Sequence, residues 1–147
     1  MKSYGNLENA PESVLVHACT WNVASQVPNK AYLQKHFRTI FIDESDEENI
    51  PDIIVLGFQE IEMNAKALIT EQTEASSVWR SILAEVLPDY DCIACHQLVG
   101  LCIFVWVQFK LARHCSPCLV SECREGFSRA LGNKGSVSTR FKLFNKQ

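Results

Sequence analysis

The sequence predicts a mixed α/β (α+β) fold with a layered core, and three observations predict it. Continuous apolar runs of strand length recur at 14–23, 53–58 and 99–109. Between them lie stretches whose apolar residues repeat every three to four positions, the period of a helix buried on one side. A third kind of segment, 135–143, alternates apolar and polar residues with period two, the mark of a strand with one face in solvent. Helices interleaved with buried strands require sheets covered by helical layers. At 147 residues, 47% apolar and 21% charged, the chain has the length and composition of one globular domain.

Taken in order, 14–23 (VLVHACTWNV) is rich in β-branched residues and reads as a buried strand, with His17 inside it as a satisfied core residue. Pro28-Asn29 opens a helix whose apolar positions are Leu33, Phe37, Ile40 and Phe41. The acidic run 43–49 (DESDEEN) lacks the glycine and alternating ligands of a calcium loop and reads as a solvated connection. Pro51 leads into 53–58 (IIVLGF), a second buried strand that runs into Gln59-Glu60-Ile61. From 73 to 87, Val78, Ile82, Leu83 and Val86 mark one helix face, and Pro88-Asp89 ends it. Strands are predicted at 90–96 and 99–109, the second buried on both sides. An irregular stretch follows. In 135–143, Val137, Thr139, Phe141 and Leu143 face inward while Ser136, Ser138, Arg140 and Lys142 face out. Residues 1–13 read as an N-terminal extension and 14–147 as the domain.

The net charge of −3 conceals an asymmetry: residues 1–109 carry six Lys/Arg against fifteen Asp/Glu, and 110–147 carry eight against two. A basic C-terminal quarter suits phosphate groups on a small ligand or a membrane surface. No aromatic residues interleave with a basic stripe, so nucleic acid is not the expected partner. The longest apolar run, 98–107, is half the ~20 residues that cross a bilayer. The first residues form no secretory h-region, and seven cysteines, an odd number, read as reduced thiols. The expected location is cytoplasmic, with peripheral contact at membrane faces.

Polar residues stand at the ends of the buried strands, an arrangement that builds sites on rigid supports. They are Trp21-Asn22, Gln59-Glu60 and Gly132-Asn133-Lys134-Gly135. Glu60 is a hard oxygen ligand of the kind Mg²⁺ takes. Asn22 is placed to orient a water, a phosphate oxygen or that carboxylate. Lys134 is a point charge for phosphate, flanked by glycines that let backbone amides approach. Together they point to metal-assisted phosphate-ester hydrolysis.

Cys19-Thr20-Trp21-Asn22-Val23, the run 51–61 (PDIIVLGFQEI), 98–101 (LVGL) and 131–137 (LGNKGSV) resemble, in this order, the inositol polyphosphate 5-phosphatases. That family lies within the endonuclease/exonuclease/phosphatase superfamily. The resemblance implies a four-layer sandwich, two β-sheets flanked by helices. It covers roughly the first half of the family's catalytic domain, with the motifs GD-x-N, WCDR and SDH having no counterpart in these 147 residues. It implies that Glu60 binds the catalytic Mg²⁺, that Asn22 shares its site, and that Asn133 and Lys134 contact a ring phosphate away from the scissile one. The substrate implied is a phosphoinositide or soluble inositol polyphosphate, losing its 5-phosphate. The segment 121–131 (SECREGFSRAL) matches a membrane-facing loop, with Phe127 and Leu131 as lipid contacts and Arg124 and Arg129 as head-group contacts. Where the family often has a second asparagine, this chain has Ala24, and its loop before GNKG holds only Gly126. The resulting expectation is a truncated, inactive chain, with 53–58 and 98–107 left exposed on a half-sandwich.

Three other readings compete. A truncated form that binds phosphoinositide or a partner without turnover uses the same residues. Cys92, Cys95, Cys115 and Cys118 have the spacing of a four-cysteine zinc module. Against it, residues three apart on a strand point to opposite faces, which separates Cys92 from Cys95. A nucleotide P-loop fails, because five residues rather than four separate Gly126 from Gly132, and Asn133 precedes Lys134.

Overall fold

The computed structural model describes residues 11–37, 50–62, 74–125 and 134–144. Four strands form the main sheet: β1 (Val16–Asn22), β2 (Ile53–Gln59), β3 (Tyr90–Leu98) and β4 (Leu101–Gln108), in spatial order β1-β2-β4-β3. β1 and β2 run parallel, with Asn22 opposite Gln59. β2–β4 and β4–β3 are antiparallel, and β3 turns into β4 through Val99-Gly100. A helical turn, α1 (Lys30–Tyr32), starts at Asn29, whose side chain accepts from the Tyr32 N–H, and continues as a π-helical segment, Leu33–Phe37. The long helix α2 (Glu74–Val86) precedes β3, and a short α3 (Phe109–Ala112) follows β4. A second sheet is the antiparallel ribbon β5 (Leu119–Glu125) and β6 (Lys134–Arg140).

Strand alternation divides the core into two. On one face Ile54, Leu56, Phe58, Phe104 and Trp106 pack under Trp79, Leu83 and Val86 of α2. On the other, Ile53, Val55, Val105 and Val107 meet Leu111 of α3 and the chain after the ribbon, Phe141, Leu143 and Phe144. The ribbon lies against β3 and β4. The order of layers among the described residues is therefore helix, sheet, sheet, as a mixed α+β fold with two sheets. Backbone pairing between Ser116 and Lys142 (2.8 Å) and between Phe144 and His114 (3.0 Å), with the His114 and Phe144 rings stacked at 4.2 Å, seals the second interface.

Several elements differ from the sequence expectation, each for a physical reason. The strand within 14–23 lies at the edge of the described sheet and is not buried: the residues of β1 alternate between exposed and half-buried, Val16 is 52% exposed, and only Val23 just after it enters the core. Apolar composition does not distinguish an edge from a centre. His17, on this strand, is half-buried. On α2 the predicted face holds at Leu83 and Val86, with Ile82 packed beside the core, but its first turns differ: Trp79 and Ser76 are buried and Val78 is exposed. Residues 121–125 are strand β5 rather than loop. The segments 53–58 and 98–107, expected to be uncovered, hold fully buried side chains among the described residues, with Ile54, Leu56, Phe104 and Val107 at 0% exposure. Among the described residues, α2 packs on one face of this sheet, and α3 with the chain after the ribbon packs on the other.

Candidate functional site

Parallel pairing of β1 and β2 brings their C-terminal ends to one rim, and both predicted strand-end residues stand there. The Asn22 side-chain N–H₂ donates to Glu60 Oε1 at 2.8 Å. The Ala24 N–H donates to Asn22 Oδ1 at 3.0 Å, which fixes the amide so that its donor face meets the carboxylate. Gln59, between them in sequence and register, donates from Nε2 to Thr20 Oγ1 (2.5 Å) and to the Gly57 carbonyl (3.1 Å), locking the two strand ends together. Glu60 itself is exposed, with a backbone φ of 54°. Ile61 behind it is buried and donates to the Gly100 carbonyl (3.0 Å), so the β3–β4 turn closes the same rim.

The third predicted motif approaches through the ribbon. Lys134 is the first residue of β6 and pairs with Glu125. The next residue, Gly135, lies beside Leu98, the last residue of β3: a Cβ built on Gly135 would stand 3.0 Å from Leu98 Cδ2 and 2.3 Å from the Cys123 carbonyl oxygen. The start of β6 thus sits at the hairpin end of the main sheet, the end that carries Glu60. Asn133, Phe127, Arg129 and Leu131 lie outside the described residues. Arg124 is described, and it lies on strand β5. Its guanidinium meets Glu122 Oε1 at 2.8 Å, and Glu122 Oε2 meets His96 Nε2 at 3.0 Å.

The zinc reading fails, though not for the reason the sequence offered. A bulge between Cys92 and Ala94 resets the alternation of β3, so Cys92 and Cys95 share one face of the sheet after all. Cys115 and Cys118 pack on the opposite face. Burial also pushes the Cys92 and Cys115 thiols up to about 11, so both stay protonated at neutral pH. All seven cysteines are free thiols. Among the described residues no three His, Cys, Asp or Glu side chains converge on a metal position.

Residues 19–147 match the sequence profile of Endonuclease/Exonuclease/phosphatase family 2. The chain belongs to that family. It is 27% identical to synaptojanin of Caenorhabditis elegans over 92% of its own length and 13% of the relative's. It is 31% identical to type IV inositol polyphosphate 5-phosphatase 9 of Arabidopsis thaliana over 87% of its length and 35% of the relative's. Among solved structures, the inositol polyphosphate 5-phosphatase domain of SPsynaptojanin, in complex with inositol (1,4)-bisphosphate and calcium ion, superposes with a TM-score of 0.65. The identity is 21%, over 87% of this chain and 36% of that one. A Cimex nitrophorin matches nearly as well, with a TM-score of 0.64 at 13% identity, covering 44% of that chain. The chain spans about a third of the plant 5-phosphatase and of the solved phosphatase domain, and less of synaptojanin.

Two turn residues complete the rim: Ala24, which the resemblance marked only as a departure from a second asparagine, and Ser25, which no sequence signal singles out. Both have positive φ, 48° and 54°, at positions occupied by neither glycine nor asparagine.

Proposed function

We propose that this family 2 chain supplies the metal and substrate rim of a Mg²⁺-dependent hydrolase that removes the 5-phosphate from phosphoinositides or soluble inositol polyphosphates. The observation that carries the reading is the Asn22–Glu60 pair, a carboxylate held by a neighbouring amide at the common end of two parallel strands. The donor chemistry fits Mg²⁺. Glu60 offers hard oxygen, and Oε1 alone is engaged by Asn22. Magnesium is commonly held by one or two carboxylates, with waters and substrate phosphates completing its shell, so one carboxylate suffices. When bound, the ion would neutralise charge on a phosphate oxygen and lower the pKa of a water.

In this reading the Glu60 carboxylate would hold the cation, and the Asn22 amide, bonded to Oε1, keeps that carboxylate from rotating. Lys134, at the head of β6, binds a ring phosphate remote from the scissile one, and so contributes to binding in ground and transition states alike. Peripheral membrane contact and a cytoplasmic location belong to the same proposal, supported by the basic C-terminal quarter. The synaptojanin and 5-phosphatase relatives support the substrate class.

The test is Glu60→Gln in the full chain, read by Mg²⁺ titration calorimetry and by phosphate release from an inositol 5-phosphate. The variant is expected to fold as the wild type, to lose Mg²⁺ binding and to show no Mg²⁺-dependent release. Wild-type Mg²⁺ affinity in Glu60→Gln overturns the assignment. Mg²⁺ and inositol phosphate binding to the wild type without release identifies the binding-only form of the same site.

A further inference from the structure

Glu60 stands where strand alternation alone would not put it. Ile54, Leu56 and Phe58 point into the core under α2, and a continued β2 would send residue 60 after them. Its φ of 54° instead swings the side chain out to the rim beside Asn22, and Glu60 is exposed. L-residues enter that region at a cost, and such conformations persist where the surroundings over-determine them.

Ser25 is the residue that does so. Its N–H donates to the Glu60 carbonyl oxygen at 2.7 Å and its hydroxyl donates to the same oxygen at 3.1 Å. The Val23 N–H holds the preceding carbonyl, that of Gln59, at 2.9 Å. The turn thus grips Glu60 from both sides: Asn22 by the carboxylate, Ser25 by the main chain. Ser25 is itself exposed, so its hydroxyl contributes to no core.

We propose that Ser25 is a positioning residue for a divalent-cation site, fixing the peptide of Glu60 so that its carboxylate faces the rim. The proposal rests on the reading of Glu60 as the metal ligand. Its role is to preset the direction of the ligand, so that no ordering of the turn is needed when the cation binds.

The experiment uses Mn²⁺ as probe, with free Mn²⁺ read by electron paramagnetic resonance, and a thermal melt on each sample. The samples are the full-length wild type, Ser25→Ala, Ser25→Gly and Glu60→Gln. Loss of one such hydrogen bond is expected to weaken Mn²⁺ binding about three- to tenfold in both Ser25 variants. Ser25→Gly relieves the positive φ, so its melting temperature is expected to equal or exceed that of the wild type while its affinity falls. A merely structural serine would move the melt and leave the affinity alone. Unchanged Mn²⁺ affinity in both Ser25 variants, beside a lost site in Glu60→Gln, overturns the role of Ser25 and leaves the ligand standing. Wild-type affinity in Glu60→Gln, or no saturable Mn²⁺ binding to the wild type, overturns both.

Discussion

Gly135 sets how closely the two ribbon strands approach, because a Cβ there would come within 2.3 Å of a main-chain oxygen on β5. A flexible side chain would yield to such a contact, but the Cys123 carbonyl belongs to the ladder itself. Gly135→Ala is therefore expected to part β5 from β6 and to cost about 3 kcal/mol, the upper part of the overpacking range. A urea midpoint equal to that of the wild type would show that the ribbon accommodates the methyl group. At this scale the sequence was legible where a polar residue ended an apolar run, as Asn22 and Glu60 do. It was not legible in the turn behind them. Ala24 and Ser25 take left-handed backbone angles that their residue types do not announce, and only the hydrogen bonds to Asn22 and Glu60 account for them.

Helix α2 shows what an element gains from one large aromatic residue. The Trp79 ring lies 4.7 Å from that of Phe58 and 5.9 Å from that of Trp21, so a single side chain joins the helix to β2 and β1. Counting apolar residues had chosen Val78, Ile82, Leu83 and Val86. The burial of the Trp79 indole instead places the first turns of the stripe on 76 and 79, keeps 83 and 86, and leaves Val78 42% exposed. Trp79→Ala is expected to cost about 3–5 kcal/mol, and Val78→Ala less than about 0.5 kcal/mol. Chemical denaturation of the two variants side by side checks this difference; a larger loss for Val78→Ala would contradict it. The other elements divide in the same way. β2 and β4 were legible because buried central strands are apolar on both faces. β1 shares that composition at an edge, the bulge in β3 left no trace in the pattern CIAC, and β5, with the polar sequence LVSECRE, has too little alternation to read as a strand.

Across the whole molecule, fold alone does not select chemistry. A nitrophorin and a 5-phosphatase domain superpose on this chain almost equally well, so the phosphatase reading stands on Asn22, Glu60 and Lys134 and on the family, not on the sheets. What the sheets decide is where the head of β6 lies relative to the rim, and the ribbon is only lightly anchored by apolar contact: Leu119 and Val120 are 59% and 41% exposed. A polar latch adds to it. Glu122 of β5 meets His96 of β3 at 3.0 Å and Arg124 at 2.8 Å, tying ribbon to main sheet. Hydrogen bonds from His96 first, and then from Arg124, hold the Glu122 carboxyl below the ordinary carboxylate range. Glu122 therefore binds its proton at higher pH in the unfolded chain than in the folded one. Its stabilising contribution is present above the unfolded value of about 4.3 and is lost as pH falls through the lower folded value. Amide hydrogen exchange, expressed as protection factors, is expected to show 119–125 and 134–140 loosening between about pH 5 and pH 3 in the wild type. In Glu122→Gln the same segments should be less protected at pH 5, with a smaller further loss on acidification. Because the three side chains are about one-third exposed, high salt should weaken the wild-type latch in the same direction. Identical pH profiles for the two proteins would assign the ribbon's attachment to half-buried apolar residues alone, Val137 within it and Phe141 and Leu143 just after it.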